Sequence, residues 1–356
     1  MISTVKISKQ QSLMLEYYIS NCPRLAYNGE ALKILKDSDI IDGVELTDIS
    51  EEFLLFKKHG VKLSSHTPGM QITLNLARKD FMNCFDGNHG KQLLRSFELS
   101  DAPTVGLHIG YSAERVYKMY SCPNIPAEGT LITDRDELMS RMRKNIVSFK
   151  NEVDLISPDK TVVIEGLDYH REMDVQWEIQ PDESKKNKNE ILRTISRYGI
   201  NAGLLFVTDP TFQKELLETT NARNESNEIG YLLDIGHTYV TADTKIFRGE
   251  FLGTIEDYFA NLLLRLGRYV RQLHISVPQE RVSGGFHDAH GIFKAGEYLT
   301  EHIIELTKLS IEQAPWVRVI TLEMKTGLDP IQHVSELERQ LVYLHGKLNT
   351  RTSIQK

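Results

Sequence analysis

Cysteine is scarce in this chain. The three residues, Cys22, Cys84 and Cys122, lie far apart and form no CxxC pair. A disulfide-stapled fold and a thiolate metal site are thereby excluded, and free thiols of a reducing cytoplasm are the expectation. Long hydrophobic runs are missing too. No stretch approaches 18 apolar residues, and the N-terminal MISTVKISKQQSL has no apolar h-region, so neither a membrane span nor a secretory signal is expected. Positive charge is not in excess: 42 Lys and Arg against 49 Asp and Glu give a net charge of −7. That argues against a nucleic-acid coat built on overall basicity and leaves room only for a local basic groove. No internal repeat or low-complexity segment is present.

What remains is a chain of 356 residues, 40% hydrophobic and 26% charged, enough to bury the core of one large domain. Short β-rich runs recur at 3–8, 42–46, 61–66, 104–109, 161–166, 230–235, 270–276 and 317–323. Most are continuous apolar runs rather than alternating ones, as parallel strands buried on both faces require. Helical patterns lie between them at 50–59, 136–152, 254–268, 297–312 and 331–347. About eight strand–helix alternations predict an α/β fold, a (β/α)8 TIM barrel in one domain over 1–348 with a frayed tail at 349–356. Two stretches look inserted, 111–135 and 168–205, the second holding the polar run DESKKNKNE, read as a solvated loop or helix start. The segment 203–209 resembles a ninth strand and is taken as part of that excursion.

The strand ends carry the chemistry. His66, His108, Glu165, Asp234 and Glu323 end five of the runs, and His274 sits near the end of a sixth. In a barrel such ends converge on one face, where active sites are built. Carboxylates converging there repel one another unless a cation neutralises them. Asp234 and His237 form DIGH, where the strand is expected to turn into its loop, and Asp288 and His290 lie two apart in HDAHG, read as a loop. A His/Asp/Glu set without Cys suits zinc, manganese or iron. Nine candidates exceed what one octahedral ion takes, so two or three divalent ions per chain are expected, zinc first, with a metal-activated water attacking phosphorus as the associated chemistry.

At these residues the chain resembles the xylose isomerase-like TIM barrel superfamily, and its endonuclease IV (AP endonuclease family 2) branch most of all. The resemblance spans about residues 40 to 345. It implies a first metal on His66, His108 and a bridging Glu165. A second would sit on Glu165, Asp234, His274 and Glu323, and a third on His237, Asp288 and His290. The surroundings depart from that pattern. Gly69 stands where the branch has tyrosine, His108 is followed by Ile109-Gly110 rather than Pro-Gly, Glu165 by Gly166 rather than asparagine, and His274 by Ile275-Ser276 rather than Asn-Asp.

The expected function is a metal-dependent hydrolase of phosphate esters or diesters, with DNA as one possible substrate and Glu165 and Glu323 as catalytic residues. Lys325 and Arg281 are the candidate substrate-binding residues, and 282–286 a flexible loop over the site. His287 is read as a surface-loop residue and His170 as solvated. Two alternatives stay open. One is a sugar isomerase or epimerase holding one metal on Glu165, Asp234, His274 and Glu323, with the glutamate pair as acid and base. The other is a multinuclear iron oxygenase acting on a peptide or small molecule.

Overall fold

The barrel begins with β1, Glu16–Ser20, and closes on β8, Val319–Leu322. Between them run β2 (Gly43–Leu46), β3 (Lys62–His66), β4 (Thr104–His108), β5 (Thr161–Glu165), β6 (Gly230–Asp234) and β7 (Val270–Ile275). Each strand pairs in parallel with its neighbour in sequence, and β1 pairs with β8, so the sheet is an eight-stranded closed barrel. This computed structural model describes residues 15–47, 52–66, 75–86, 88–118, 124–171, 181–222, 228–282 and 284–349.

The predicted α/β barrel is thus the observed fold, with seven of its eight strands where the apolar runs place them. The first is not. The run at 3–8 lies outside the described residues, and the barrel position is taken by EYYIS, whose Tyr18 and Ile19 are fully buried. The segment 203–209 is no strand: it forms a 3-10 turn at Ala202–Leu204 within the excursion.

Helices pack outside the barrel, and several of their starts are fixed by side chains that accept from otherwise unpaired backbone N–H groups. They are α1 (Gly29–Asp37), α2 (Glu52–Lys58), α3 (Asn88–Leu99), α4 (Arg135–Ile156), α5 (Pro181–Tyr198), α6 (Pro210–Asn221), α7 (Ile235–Phe247), α8 (Ile255–Leu266), α9 (Tyr298–Gln313) and α10 (Pro330–Asn349). Asp134 caps α4 and Asp209 caps α6, where Pro210 occupies the first helical position. Thr254 and Asp257 form a capping box on α8. The first inserted stretch contains a two-stranded ribbon, Val116–Tyr117 with Ile125–Pro126. The second contains α5, whose first half is DESKKNKNE, so of the two readings of that run the helix start is the one observed. Asn349 still belongs to α10, and the tail beyond it lies outside the described residues. No helix among the described residues is long and apolar enough to cross a membrane.

Successive side chains of a strand alternate between its faces, and inside this barrel that alternation produces a polar column. Glu45, Ser64, Thr104, Gln272 and Thr321 are all buried in one hydrogen-bonded layer. Thr104 donates to Gln272 Oε1 at 2.7 Å, while Gln272 Nε2, Ser64 and Thr321 donate to Glu45 Oε2 at 2.8, 2.9 and 3.2 Å. Two residues further along their strands stand His66, His274 and Glu323. The site therefore rests on a hydrogen-bonded polar floor instead of an apolar one.

Candidate metal centre

The strand-end residues converge. His66, His108, Glu165 and Asp234 are the last residues of β3, β4, β5 and β6, His274 is the last but one of β7, and Glu323 follows β8. The parallel register sets His108 beside Glu165 and Asp234 beside His274. Glu165 is the hub. One of its oxygens lies 2.7 Å from His66 Nε2 and 3.1 Å from His108 Nε2, the other 3.1 Å from His237 Nδ1.

Two sets of donor atoms are compact: His66, His108 and Glu165, and Glu165, Asp234, His274 and Glu323. Within each set the atoms lie within 4.8 Å of one another, the span of a coordination sphere with bonds of about 2.0–2.6 Å. Glu165 belongs to both. Among the described residues, its two carboxylate oxygens, both His66 nitrogens and Asp234 Oδ2 are buried without a hydrogen-bond partner, despite the short distances between several of them. Buried polar atoms seldom go unsatisfied, and close approach in directions unsuited to hydrogen bonding is what donors aimed at a shared cation show. On this test the residues fit a divalent cation.

Asp234 carries two duties. Its Oδ1 accepts from the His237 N–H at 2.6 Å and so starts α7 directly at the end of β6. Its Oδ2 is left facing the cluster. DIGH is thus a strand-to-helix junction, not the entrance to a loop. The adjacent Gly166 is equally constrained: a Cβ there would stand 2.8 Å from the Tyr231 hydroxyl and from Gln213 Nε2. A larger residue at 166 would have to displace both side-chain ends. Gly106, paired in register with His66, leaves space for that imidazole, whose Nδ1 a Cβ would strike.

His237, Asp288 and His290 form a chain along the rim rather than a third compact set. Asp288 Oδ2 sits 3.3 Å from His237 Nε2 and 2.8 Å from His290 Nε2. The segment read as a loop is the second strand of a hairpin, Phe286–Gly291 against Val277–Glu280. The hairpin register shifts between Val277 and Gln279, and Asp288 lies in that irregular stretch, where Ser276 Oγ donates to it at 3.4 Å. His290 takes a left-handed backbone (φ 47°), and its Nδ1 lies 3.2 Å from the Glu323 carbonyl oxygen. Positive φ at a non-glycine residue is a strained choice that clusters at functional positions. Side-chain exposure grades the cluster: 1% for His66 and Glu165, against 12, 10, 15 and 13% for His237, Asp288, His290 and Glu323. The last four line the mouth.

Charge is balanced internally. Burial acts to raise the Glu165 carboxyl, but His108 and His66 beside it pull it well below the usual range. Glu323, at the mouth, is drawn down to about 2 by His274 and His290. Asp234 goes the other way: burial, with Glu165, Asp288 and Glu323 nearby, lifts it to about 7 against the pull of His237. His108 is pushed down to about 3 by burial. His274 is held well above its ordinary range, since Glu45 and Glu323 outweigh burial, and His290 rises to about 9 with Glu323 and Asp288.

The candidate substrate-binding residues lie outside the cluster. Lys325 is exposed beyond the end of β8, its backbone N–H donating to the His290 carbonyl at 2.7 Å. Arg281 is on the hairpin, 3.4 Å from His170 Nδ1. His170 is buried rather than solvated and pairs with Asp168 at 2.8 Å. His287 is half-buried on the hairpin strand, not on a surface loop. Glu45, Gln272 and Asp168 were missed from sequence. For Gln272 alone a signal was available, an amide within an apolar run two residues before the strand-end ligand His274. Gly69 lies outside the described residues.

No family model matches the chain, and no curated protein matches it. Solved structures do match in fold. D-psicose 3-epimerase, in a structure with D-fructose, aligns at 11% identity over 94% of this chain and 100% of its own, with a TM-score of 0.54. The E. coli 3-keto-D-glucoside 4-epimerase aligns at 10% identity over 93% and 99%, TM-score 0.51. A xylose isomerase-like TIM barrel protein from Mycobacterium smegmatis, in complex with magnesium, aligns at 10% over 95% and 99%, TM-score 0.50. The chain shares the fold of xylose isomerase-like TIM barrels. These neighbours overturn the expectation of a phosphate-ester hydrolase: they are sugar epimerases and an isomerase-like barrel, and they carry no support for the endonuclease IV branch. They agree with the alternative of a sugar isomerase or epimerase.

Proposed function

We propose that the chain is a divalent-metal-dependent isomerase or epimerase of sugars or closely related polyhydroxy carbonyl compounds. The observation that carries this is the compact donor set Glu165, Asp234, His274 and Glu323 at the ends of β5 to β8, in a barrel whose fold neighbours act on sugars. A bound cation supplies Lewis-acid polarisation of a substrate carbonyl and hydroxyl, which makes the intervening C–H acidic. The chain's own groups do the rest. Glu323, at the mouth, and Glu165, deeper, are the two carboxylates that exchange a proton with that carbon, one taking it as base and the other returning one as acid. His237, Asp288 and His290 hold substrate hydroxyls at the rim, and Arg281 and Lys325 stand further out.

The test is metal analysis followed by exchange. Protein purified without added metal is assayed by elemental mass spectrometry, then loaded with Mn2+, Mg2+ or Co2+ and incubated with ketoses and 3-keto glycosides in D2O. Deuterium appearing at the carbon beside the carbonyl, together with the epimer, is the expected result. A folded, metal-loaded protein that exchanges no proton in any of these substrates sinks the proposal. A second reading rests on the other compact set, His66, His108 and Glu165, which a single-metal epimerase leaves idle. Two or three iron per chain would favour a multinuclear iron oxygenase acting on a peptide or small molecule.

A further inference from the structure

Beneath the donor set lies a carboxylate that the proposed chemistry does not use. Glu45, on β2, is 1% exposed, and its Oε1 is 3.0 Å from His274 Nε2. The two nitrogens of His274 face different groups. Nδ1 looks into the donor set, 2.9 Å from Glu323 and 4.0 Å from Asp234, while Nε2 looks down at Glu45 and at Gln272 Nε2, 3.1 Å away. An imidazole can offer a lone pair at Nδ1 only if its proton sits on Nε2, and whichever group faces Nε2 decides that.

We infer that Glu45 is the positioning residue that keeps the His274 proton on Nε2 and so leaves Nδ1 free to bind a cation. The inference rests on the metal site proposed above. Its force comes from how Glu45 is held. Ser64, Thr321 and Gln272 Nε2 all donate to the same oxygen, Oε2. The other oxygen, Oε1, has no hydrogen-bond partner among the described residues and faces His274. Gln272 is itself oriented, because its Oε1 accepts from Thr104 at 2.7 Å and its nitrogen therefore points at Glu45. That nitrogen also faces His274 Nε2 as a competing donor at 3.1 Å, and the charged Glu45 oxygen at 3.0 Å outweighs it, since hydrogen bonds to an ionised group are the stronger ones. Three donors on one side and an unclaimed acceptor on the other leave the carboxylate one way to serve His274.

The same arrangement predicts a counterintuitive result for a near-isosteric change. In Glu45→Gln the three donors draw the amide oxygen into the Oε2 position, which turns the amide NH2 toward His274. Nε2 must then accept, the proton moves to Nδ1, and the ligand atom is blocked although no volume has changed. Exchanging the pair, Glu45→Gln with Gln272→Glu, returns a carboxylate to within reach of Nε2 and restores the tautomer. Co2+ is the probe, followed by its visible absorption on titration into metal-free protein, alongside the thermal midpoint of each metal-free variant.

The expected result is a Co2+ dissociation constant 10- to 100-fold weaker in Glu45→Gln, recovery in the exchanged pair, and metal-free midpoints that do not follow that order. Wild-type Co2+ affinity and spectrum in Glu45→Gln would overturn the inference while leaving the metal site intact. Weak affinity in both variants would also overturn it, since the exchanged pair restores the acceptor. If Glu45→Gln does not fold, the exchanged pair alone decides, because the inference requires it to bind Co2+ like the wild type. Wild-type protein that binds no Co2+ brings down the metal site and the inference together.

Discussion

Glu165 is the residue on which most of the cluster's contacts meet, and its replacement is the sharpest single test of the site. Glu165→Gln keeps the shape and removes the negative charge that lies beside His66, His108 and His237. Turnover in the deuterium-exchange assay should fall about 10²- to 10⁴-fold, the usual worth of a positioned acid or base, while the far-UV circular dichroism stays that of the wild type. Wild-type turnover in this variant would remove Glu165 from the mechanism. At this scale the sequence was informative because a barrel turns position into proximity: a His, Asp or Glu that ends a strand must meet the others that do the same. Glu45 was not legible in that way. It lies inside the apolar run GVEL, and nothing in the run shows that its side chain faces the barrel interior or that Gln272 and Thr321 will share its oxygen.

The hairpin Val277–Glu280 with Phe286–Gly291 is the element that brings Asp288 and His290 to the rim, and one arginine secures its tip. Arg171 makes two hydrogen bonds to Asp243 on α7, at 2.9 and 2.6 Å, and its guanidinium stacks on Phe247 at 4.1 Å. The tip glycines, Gly284 and Gly285, both adopt positive φ, and a Cβ at 285 would press on the Arg171 side chain. Only glycine gives both that backbone and that approach. Arg171→Ala should therefore loosen the hairpin and spare the barrel. Amide hydrogen exchange within 277–291 is expected to speed up at least tenfold, with β5 to β8 unchanged; equal protection of the hairpin in both proteins would show that Arg171 does not anchor it.

Elements were unevenly legible for a related reason. The 3.6-residue apolar pattern marks α4, α8, α9 and α10 without help. By contrast α7 follows β6 with no intervening loop, so its apolar start IGHTYV continues the strand's own run. HDAHG carries turn-forming and polar residues, and only pairing with Val277–Glu280 makes it a strand. The second shell around the ligands, which separates one chemistry from another, is set by such tertiary pairings and not by the ligand types.

Taken as a whole, the molecule stores an electrostatic problem in its barrel, and that gives a measurable property of the entire fold. Glu45, Glu165, Asp234, Asp288 and Glu323 crowd one end, compensated by histidines that burial disfavours as cations, and several of their atoms have no hydrogen-bond partner among the described residues. The cluster draws on β2 to β8 and on the hairpin, so a cation that satisfies it ties together strands from most of the closed sheet. Binding to the folded chain alone shifts the unfolding equilibrium by RT ln(1 + [L]/Kd), about 2.7 kcal/mol at a hundredfold excess over Kd. For a chain of this size that corresponds to a rise in the thermal midpoint on the order of 5 °C. Mn2+ or Co2+ added to metal-free protein should produce such a rise, excess EDTA should reverse it, and Glu165→Gln should blunt it. A midpoint indifferent to both cations in the wild type would mean that the fold tolerates its buried charges through the histidines alone, and that the compact donor sets are not cation sites.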